Sequence, residues 1–233
     1  GRFMVEGEVV LRAAVRDGRW PLSSLLLAAK RVGALQPVLD SLPAETPVYV
    51  AGQAVLDAIV GFHIHRGILA IGETAPDPGA DRLLAGLAER AIVVVLFCIG
   101  NHDNMGGVFR NAAAFGADAV LLGPDCCDPL YRKAIRVSVG AALTVPFARL
   151  AADAEPIALL AGHGFEALAL SPAGETILAE LARPARAAVL FGSEGPGLPS
   201  ELMARTRTVS IPMAGAFDSL NVATTSGIVL HQL

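Results

Sequence analysis

Phe191-Gly192-Ser193-Glu194-Gly195-Pro196-Gly197-Leu198-Pro199 is followed at short range by Ile211-Pro212-Met213-Ala214-Gly215 and then by Ser219-Leu220-Asn221-Val222. In each stretch an apolar strand runs into a Gly- and Pro-rich loop, and the loop runs into a helix start. Glycine lets the main chain come close to a ligand, so two such loops close in sequence build a pocket lined by backbone. Polar side chains are few here. Main-chain N–H and C=O groups would therefore do much of the reading, which suits a small, flat, polar-edged cofactor better than a metal or a phosphate tail.

Upstream of these loops the same grammar recurs. Ile92–Cys98 is a continuous β-branched apolar run, the pattern of a strand buried on both faces. A loop over Ile99–Gly107 follows, with a helix through Arg110 to Phe115. Further strands are expected at Ala119–Leu122, Ala167–Leu170, Ala187–Phe191 and Thr208–Ile211, and helices over Leu130–Leu143, Ile157–Ala161 (where Pro156 also fits the entry to a strand) and Ser219–Leu233. Strands alternating with helices predict an α/β fold with a parallel sheet covered on both sides. In such sheets ligands sit beyond the carboxyl ends of the strands, and all three Gly-rich loops fall there.

The first part of the chain reads as a smaller α/β unit over residues 1–75. Its helices are expected at Gly7–Val15, Gln36–Ser41 and Ala54–Val60, its strands at Val48–Val50 and Ile68–Ile71, with Leu22–Leu27 a strand or a buried turn. Breakers over Glu73–Ala80 mark a linker, drawn as residues 76–90, and residues 91–233 form the larger domain.

Composition bounds the function. The chain has 233 residues, 53% hydrophobic and 17% charged, which supports a folded core rather than disorder. No apolar run spans a bilayer and no secretory leader is visible. The chain opens Gly1-Arg2 without a Met, and the natural N-terminus is expected to lie upstream. Three cysteines, Cys98, Cys126 and Cys127, make no disulfide framework, which points to the cytosol. The formal charge of −4 means that any nucleic-acid contact must gather positive charge locally.

Four constellations could carry chemistry. In Asn101–Asn111, Asn104 can cap a helix start, Gly106-Gly107 can turn the chain, and Arg110 in the first helical turn can point its donor fork at a phosphate or hydroxyl. Gly192–Leu198 lacks the dinucleotide fingerprint, the P-loop lysine and the hydrolase elbow, which leaves Glu194 as its one charge. Ser219 or Asp218 can cap the last helix, with Ser219 and Asn221 facing the pocket. Arg132, Lys133 and Arg136 form a positive helix face suited to phosphates. His63-x-His65 has no further ligand set and Cys126-Cys127 reads as packing, so no metal is expected.

Taken in order, these motifs resemble the SpoU/TrmH-type RNA ribose methyltransferases of the SPOUT class. The match consists of Asn-x-Gly-x-x-x-Arg at Asn104, Gly106 and Arg110, Gly-Ser-Glu-Gly-Pro-Gly-Leu at 192–198, Ile-Pro-Met at 211–213 and Ser-Leu-Asn at 219–221. His102-Asp103 stands where the family usually has Pro-Gly. More loosely, Phe3–Gly7 resembles the start of the family's substrate-binding domain.

The resemblance implies a SPOUT-type parallel sheet with a C-terminal trefoil knot, a homodimer and S-adenosylmethionine as cofactor. Gly192, Ile211 and Leu220 would meet it through the main chain, with Leu198, Met213 and Asn221 completing the wall. Arg110, helped by Asn104, Glu194, Ser219 and Asn221, would occupy the reactive side, as electrostatic stabiliser or, as is also discussed in the family, as base. Arg110, Arg132, Lys133 and Arg136 would contact RNA. The implied reaction is 2′-O-methylation of ribose in structured tRNA or rRNA. The alternatives are a base methyltransferase of the same fold, a catalytically idle RNA-binding module, and an unrelated nucleotide-binding α/β protein that the absent fingerprints disfavour.

Overall fold

The computed structural model describes residues 1–61, 66–193, 195–215 and 219–233. The first seventy-odd residues run β1 (Arg2–Glu6), α1 (Glu8–Asp17), β2 (Leu22–Ala28), a 3-10 turn (Ala29–Arg31), α2 (Val32–Leu39), β3 (Val48–Ala51), α3 (Gln53–Val60) and β4 (Ile68–Glu73). They build a four-stranded sheet in the order β1-β4-β2-β3, with β2 and β3 parallel and the other pairs antiparallel. β1 has no counterpart in the sequence-based reading, yet its Phe3 and Val5 are buried. α2 begins at Val32 and not at Gln36, because Pro37, which favours a first helical turn, here lies inside the helix.

The remainder runs α4 (Ala80–Ala85), β5 (Ala91–Leu96), α5 (His102–Phe115), β6 (Ala119–Leu122), α6 (Arg132–Val137), α7 (Ala141–Thr144), β7 (Phe147–Arg149), α8 (Pro156–Gly162), β8 (Glu166–Leu170), β9 (Thr176–Ile177), a 3-10 turn (Leu178–Glu180), β10 (Arg186–Phe191), α9 (Ser200–Met203), β11 (Arg207–Ser210) and α10 (Val222–Gln232). Its sheet has the order β7-β6-β5-β10-β8-β11-β9, and every pairing is parallel. β5 is buried along its whole length, as a strand covered on both faces must be. Ile92, Val94 and Leu96 pack with Phe109, Val229 and Leu230 from α5 and α10. Val93 and Val95 pack on the other face with Leu84 of α4 and Leu160 of α8. α4 lies within the stretch read as a linker, and its Leu84 is fully buried.

Three local expectations are corrected. α5 starts at His102, not after Gly107, because Asn101 is its N-cap and accepts from the Asp103 N–H at 2.8 Å. Asn104 is therefore no cap, and Gly106-Gly107 is no turn. A Cβ on Gly106 would lie 2.7 Å from both the Ala134 carbonyl oxygen and Val137 Cβ of α6. One on Gly107 would lie 2.6 Å from Ala223 Cβ of α10. The two glycines let α5 nest against two helices at once. The expected helix over Leu130–Leu143 is broken in two, since Val139 and Gly140 take φ of 55° and 85°. Finally α10 starts at Val222 with Asn221 as cap, so Ser219 does not fill that role; Asp218 lies outside the described residues.

The two sheets share packing. Phe3, Leu11 and Trp20 form one cluster with Leu130, Ile135 and Leu143. A row of rings continues it, with Phe3–Trp20 centroids 5.5 Å apart, Trp20–Phe147 6.3 Å and Phe147–Phe109 5.7 Å. The Trp20 indole donates to the Leu143 carbonyl at 2.7 Å, satisfying a carbonyl at the end of α7. The N-terminal sheet is thereby tied to α5, the helix that carries Arg110.

Helix propensity alone favours alanine over glycine by about 1 kcal/mol. Gly33 in α2 has open space where a methyl group would sit, whereas Gly106 has none. Gly33→Ala is expected to stabilise the fold by about 0.5–1 kcal/mol, and Gly106→Ala to destabilise it by about 1–3 kcal/mol, both read by urea titration.

Candidate active site

A cleft of about 790 Å³ opens at the carboxyl edge of the large sheet, lined from β8, β10, β11 and the start of α10. Its floor is backbone. A Cβ on Gly192 would fall 2.2 Å from the Gly197 carbonyl carbon and 2.4 Å from the Leu198 nitrogen. The loop after β10 therefore folds directly onto the end of its own strand, and the Gly197 N–H donates to the Ser193 carbonyl at 3.2 Å. Gly195 and Gly197 hold φ of 95° and 69°, conformations that glycine adopts without strain.

Of the residues singled out for this pocket, Gly192, Ile211, Met213, Ser219, Leu220 and Asn221 line the cleft. Leu220 is 43% exposed. Leu198 does not line the cleft. It is 4% exposed and packs with Leu190 and Leu202 on the far side of the sheet, so it anchors the loop from behind. Glu194 lies outside the described residues, as do His63 and His65.

One wall escaped the sequence reading. Leu170, Ser171, Pro172 and Ala173 follow β8 and line the same cleft. The signal was present, because Ala167–Leu170 was expected to be a strand and the rule that ligands sit at strand carboxyl ends applies to it equally. Gly174 closes that loop, since a Cβ there would lie 2.4 Å from the Val209 carbonyl carbon of β11.

Asn221 joins the cleft to α5. Its side-chain oxygen accepts from the Ala223 and Thr224 N–H groups at 2.9 and 3.2 Å, capping α10. Its Nδ2 donates to Oδ1 of Asn104 at 2.8 Å. Asn104 is only 6% exposed, so a lost partner there would be costly. Further along α5, Asn111 donates to the Ala223 carbonyl at 2.6 Å and to Ser226 Oγ at 2.9 Å. Arg110 thus sits on a helix pinned to the first turns of α10 from both sides. By helical periodicity it lies between the Gly106 and Gly107 faces. Its side chain is exposed and makes no hydrogen bond or ion pair among the described residues. It does not line the cleft itself, but stands on the neighbouring helix.

The expected cationic face is split by its partners. Arg132 donates to Glu6 at 3.0 and 2.8 Å, and Lys133 to Asp103 at 2.6 Å. Arg136 is exposed and takes part in no ion pair among the described residues. No group of three or more His, Cys, Asp or Glu is placed to hold a metal among the described residues. Cys126 donates its thiol to the Leu96 carbonyl at 3.3 Å, and burial pushes its pKa up. Burial likewise raises Cys127, to about 11.

The chain belongs to the SpoU rRNA methylase family, whose model matches residues 91–231. It is 37% identical to an uncharacterized tRNA/rRNA methyltransferase of Mycobacterium bovis, over 98% of this chain and 79% of the relative. A crystal structure of an AdoMet-bound rRNA methyltransferase from Sinorhizobium meliloti superposes with a TM-score of 0.83 at 25% identity, covering 99% of this chain and 86% of that one. A structure described as giving insight into 2-OH methylation of C/U34 on tRNA matches with a TM-score of 0.54 at 30% identity, over 61% of this chain and 93% of that one. The α/β architecture with its parallel sheet is that of these enzymes.

Asn221→Ala removes a cap and the partner of a buried carboxamide together. A loss of about 2–4 kcal/mol is expected, with Asn221→Ser, which keeps a capping oxygen, recovering about 1 kcal/mol of it. Chemical denaturation of the two variants checks the order.

Proposed function

We propose that the protein transfers a methyl group from S-adenosylmethionine to a ribose 2′-hydroxyl of structured RNA, a tRNA or rRNA. The observation that carries this reading is the pairing of a backbone-floored cleft with an exposed, uncommitted arginine on the helix that Asn221 and Asn104 tie to it. The donor fits the residues present. The cleft lies within the usual range of about 300–1,000 Å³ for small-molecule sites. Leu170, Phe191, Val209 and Ile211 give apolar walls, while Ser171, Ser193 and Thr225 add hydrogen-bonding groups. S-adenosylmethionine supplies, when bound, a methyl group already activated on a sulfonium. The relatives named above support both the donor and the ribose target.

Gly192, Ile211 and Leu220 hold the donor through main-chain groups, and Met213 and Asn221 complete the wall. Leu198 acts through the loop it anchors. A free hydroxyl is a weak nucleophile at neutral pH, so the chain's own contribution is charge and alignment. Arg110 stays protonated; its guanidinium stabilises the negative charge that develops on the sugar oxygen and holds the adjacent phosphate. Asn104, Ser219 and Asn221 orient the groups around it, and Glu194 takes part with them in the role its motif implies. Alignment of oxygen with methyl carbon supplies the remainder. The proposed reaction uses no metal.

Residues 1–75 act as the RNA substrate-binding domain, 76–90 as the connection and 91–233 as the methyltransferase domain. β11 enters between β8 and β9, both earlier in the chain, which supports a trefoil knot over the C-terminal loops. The working form is a homodimer in the cytosol.

Titration calorimetry with S-adenosylmethionine is expected to show binding; no heat at high protein concentration would refute the cleft assignment. Arg110→Ala is expected to lower methyl transfer by about 100-fold or more with the donor's Kd unchanged. Unaltered turnover would remove Arg110 from the chemistry.

A further inference from the structure

A second, smaller cavity of about 280 Å³ lies at the seam between the two sheets, away from the cleft, and it is lined by Arg31, Arg66 and Arg136. The three come from separate places: the turn after β2, the approach to β4 two residues before its start, and α6. Chain folding, and not local sequence, brings them together in a protein whose formal charge is −4. None of the three forms an ion pair among the described residues. Their neighbours Arg12 and Arg132 do, with Glu8 and Glu6. The cavity's one acidic side chain, Glu8, accepts from Arg12 at 3.0 and 2.8 Å, so its charge is already answered.

Two of the three cations have contacts that place them. Arg31 Nε donates to the Arg66 carbonyl at 3.1 Å, which fixes its guanidinium and leaves the two Nη groups to other acceptors. Arg66 lies across Gly7, where an added Cβ would meet its Cδ at 2.7 Å and its Nη1 at 3.0 Å. Three like charges gathered around a single carboxylate that Arg12 already engages repel one another, and an anion relieves that repulsion. Planar guanidinium forks match the oxygens of a phosphate.

We infer that this notch is a seat for an RNA backbone phosphate, so that the substrate spans the seam between the N-terminal sheet and α6. The inference rests on the proposed function and extends it. α6 carries Arg136 into the notch and lays Val137 against Gly106 of α5, one helical turn from Arg110. A strand seated at the seam therefore has a path along α6 to Arg110. The notch selects shape and backbone course, not base identity.

The test uses the full chain and bulk tRNA and rRNA fractions, with fluorescence anisotropy over a series of salt concentrations. Arg31→Ser/Arg66→Ser is expected to bind RNA on the order of tenfold more weakly and to flatten the plot of log K against log salt by about one to two units. Calorimetry with S-adenosylmethionine is expected to be unchanged, and Arg31→Lys/Arg66→Lys to restore most of the slope. Arg66→Ser alone guards against misfolding, because that side chain makes no hydrogen bond among the described residues; it should flatten the slope by about one unit. Wild-type affinity and slope in the Ser variants overturn the inference and leave the proposed function standing. Weaker binding with an unchanged slope overturns it as well, since no phosphate contact would have been lost. A wild-type protein that neither binds RNA nor transfers a methyl group removes the proposed function, and the notch with it.

Discussion

Main chain packed directly on main chain is the constraint on which the site depends. Gly192 lies against Gly197 and Leu198, and Gly174 against Val209 and Ser210, at separations where no Cβ fits. The first folds the loop after β10 back on its own strand, and the second joins the loop after β8 to β11. A parallel sheet places all strand carboxyl ends along one edge, but only the glycines let the loops beyond them close over that edge and leave a cleft floored by backbone. Leu198 holds the loop from the opposite face, in the core. The same device works between helices, where Gly106 and Gly107 let α5 approach α6 and α10 together.

Asn221 then carries the cleft's position across to the neighbouring helix. One carboxamide spends its oxygen on the start of α10 and its nitrogen on Asn104. The ring series from Phe3 through Trp20 and Phe147 to Phe109 ties the same helix to the N-terminal sheet. α5 is thus fixed from both directions. The backbone that carries Arg110 is thereby fixed beside the cleft, while its side chain stays exposed.

Much of the architecture was legible in the chain. β5, β6, β8 and β10 are buried apolar runs, and the expected strands match them closely. β7 and β9 have only three and two residues, too short for any periodicity to register. The start of α5 is ambiguous in the sequence because asparagine, a residue type that caps helices, stands at both 101 and 104, and only Asn101 is the cap; glycine reads as a turn until the partner helices are known. Gly192, Ile211, Met213, Leu220 and Asn221 do come together as the motif order suggested. The Ser171–Ala173 wall stayed hidden because no glycine introduces it. The fate of Arg132 and Lys133 could not be read at all, since Glu6 is remote in sequence from its partner and Asp103 belongs to another helix. Ion pairs between distant segments are set by the fold and carry no local signature.

The most direct test is to incubate the protein with isotope-labelled methyl donor and RNA lacking its modification, and then to digest the RNA to nucleosides for mass spectrometry. The account predicts the label on a ribose, as a 2′-O-methyl nucleoside at a defined position. Label on a base, or RNA recovered without label under conditions where the donor binds, would contradict it.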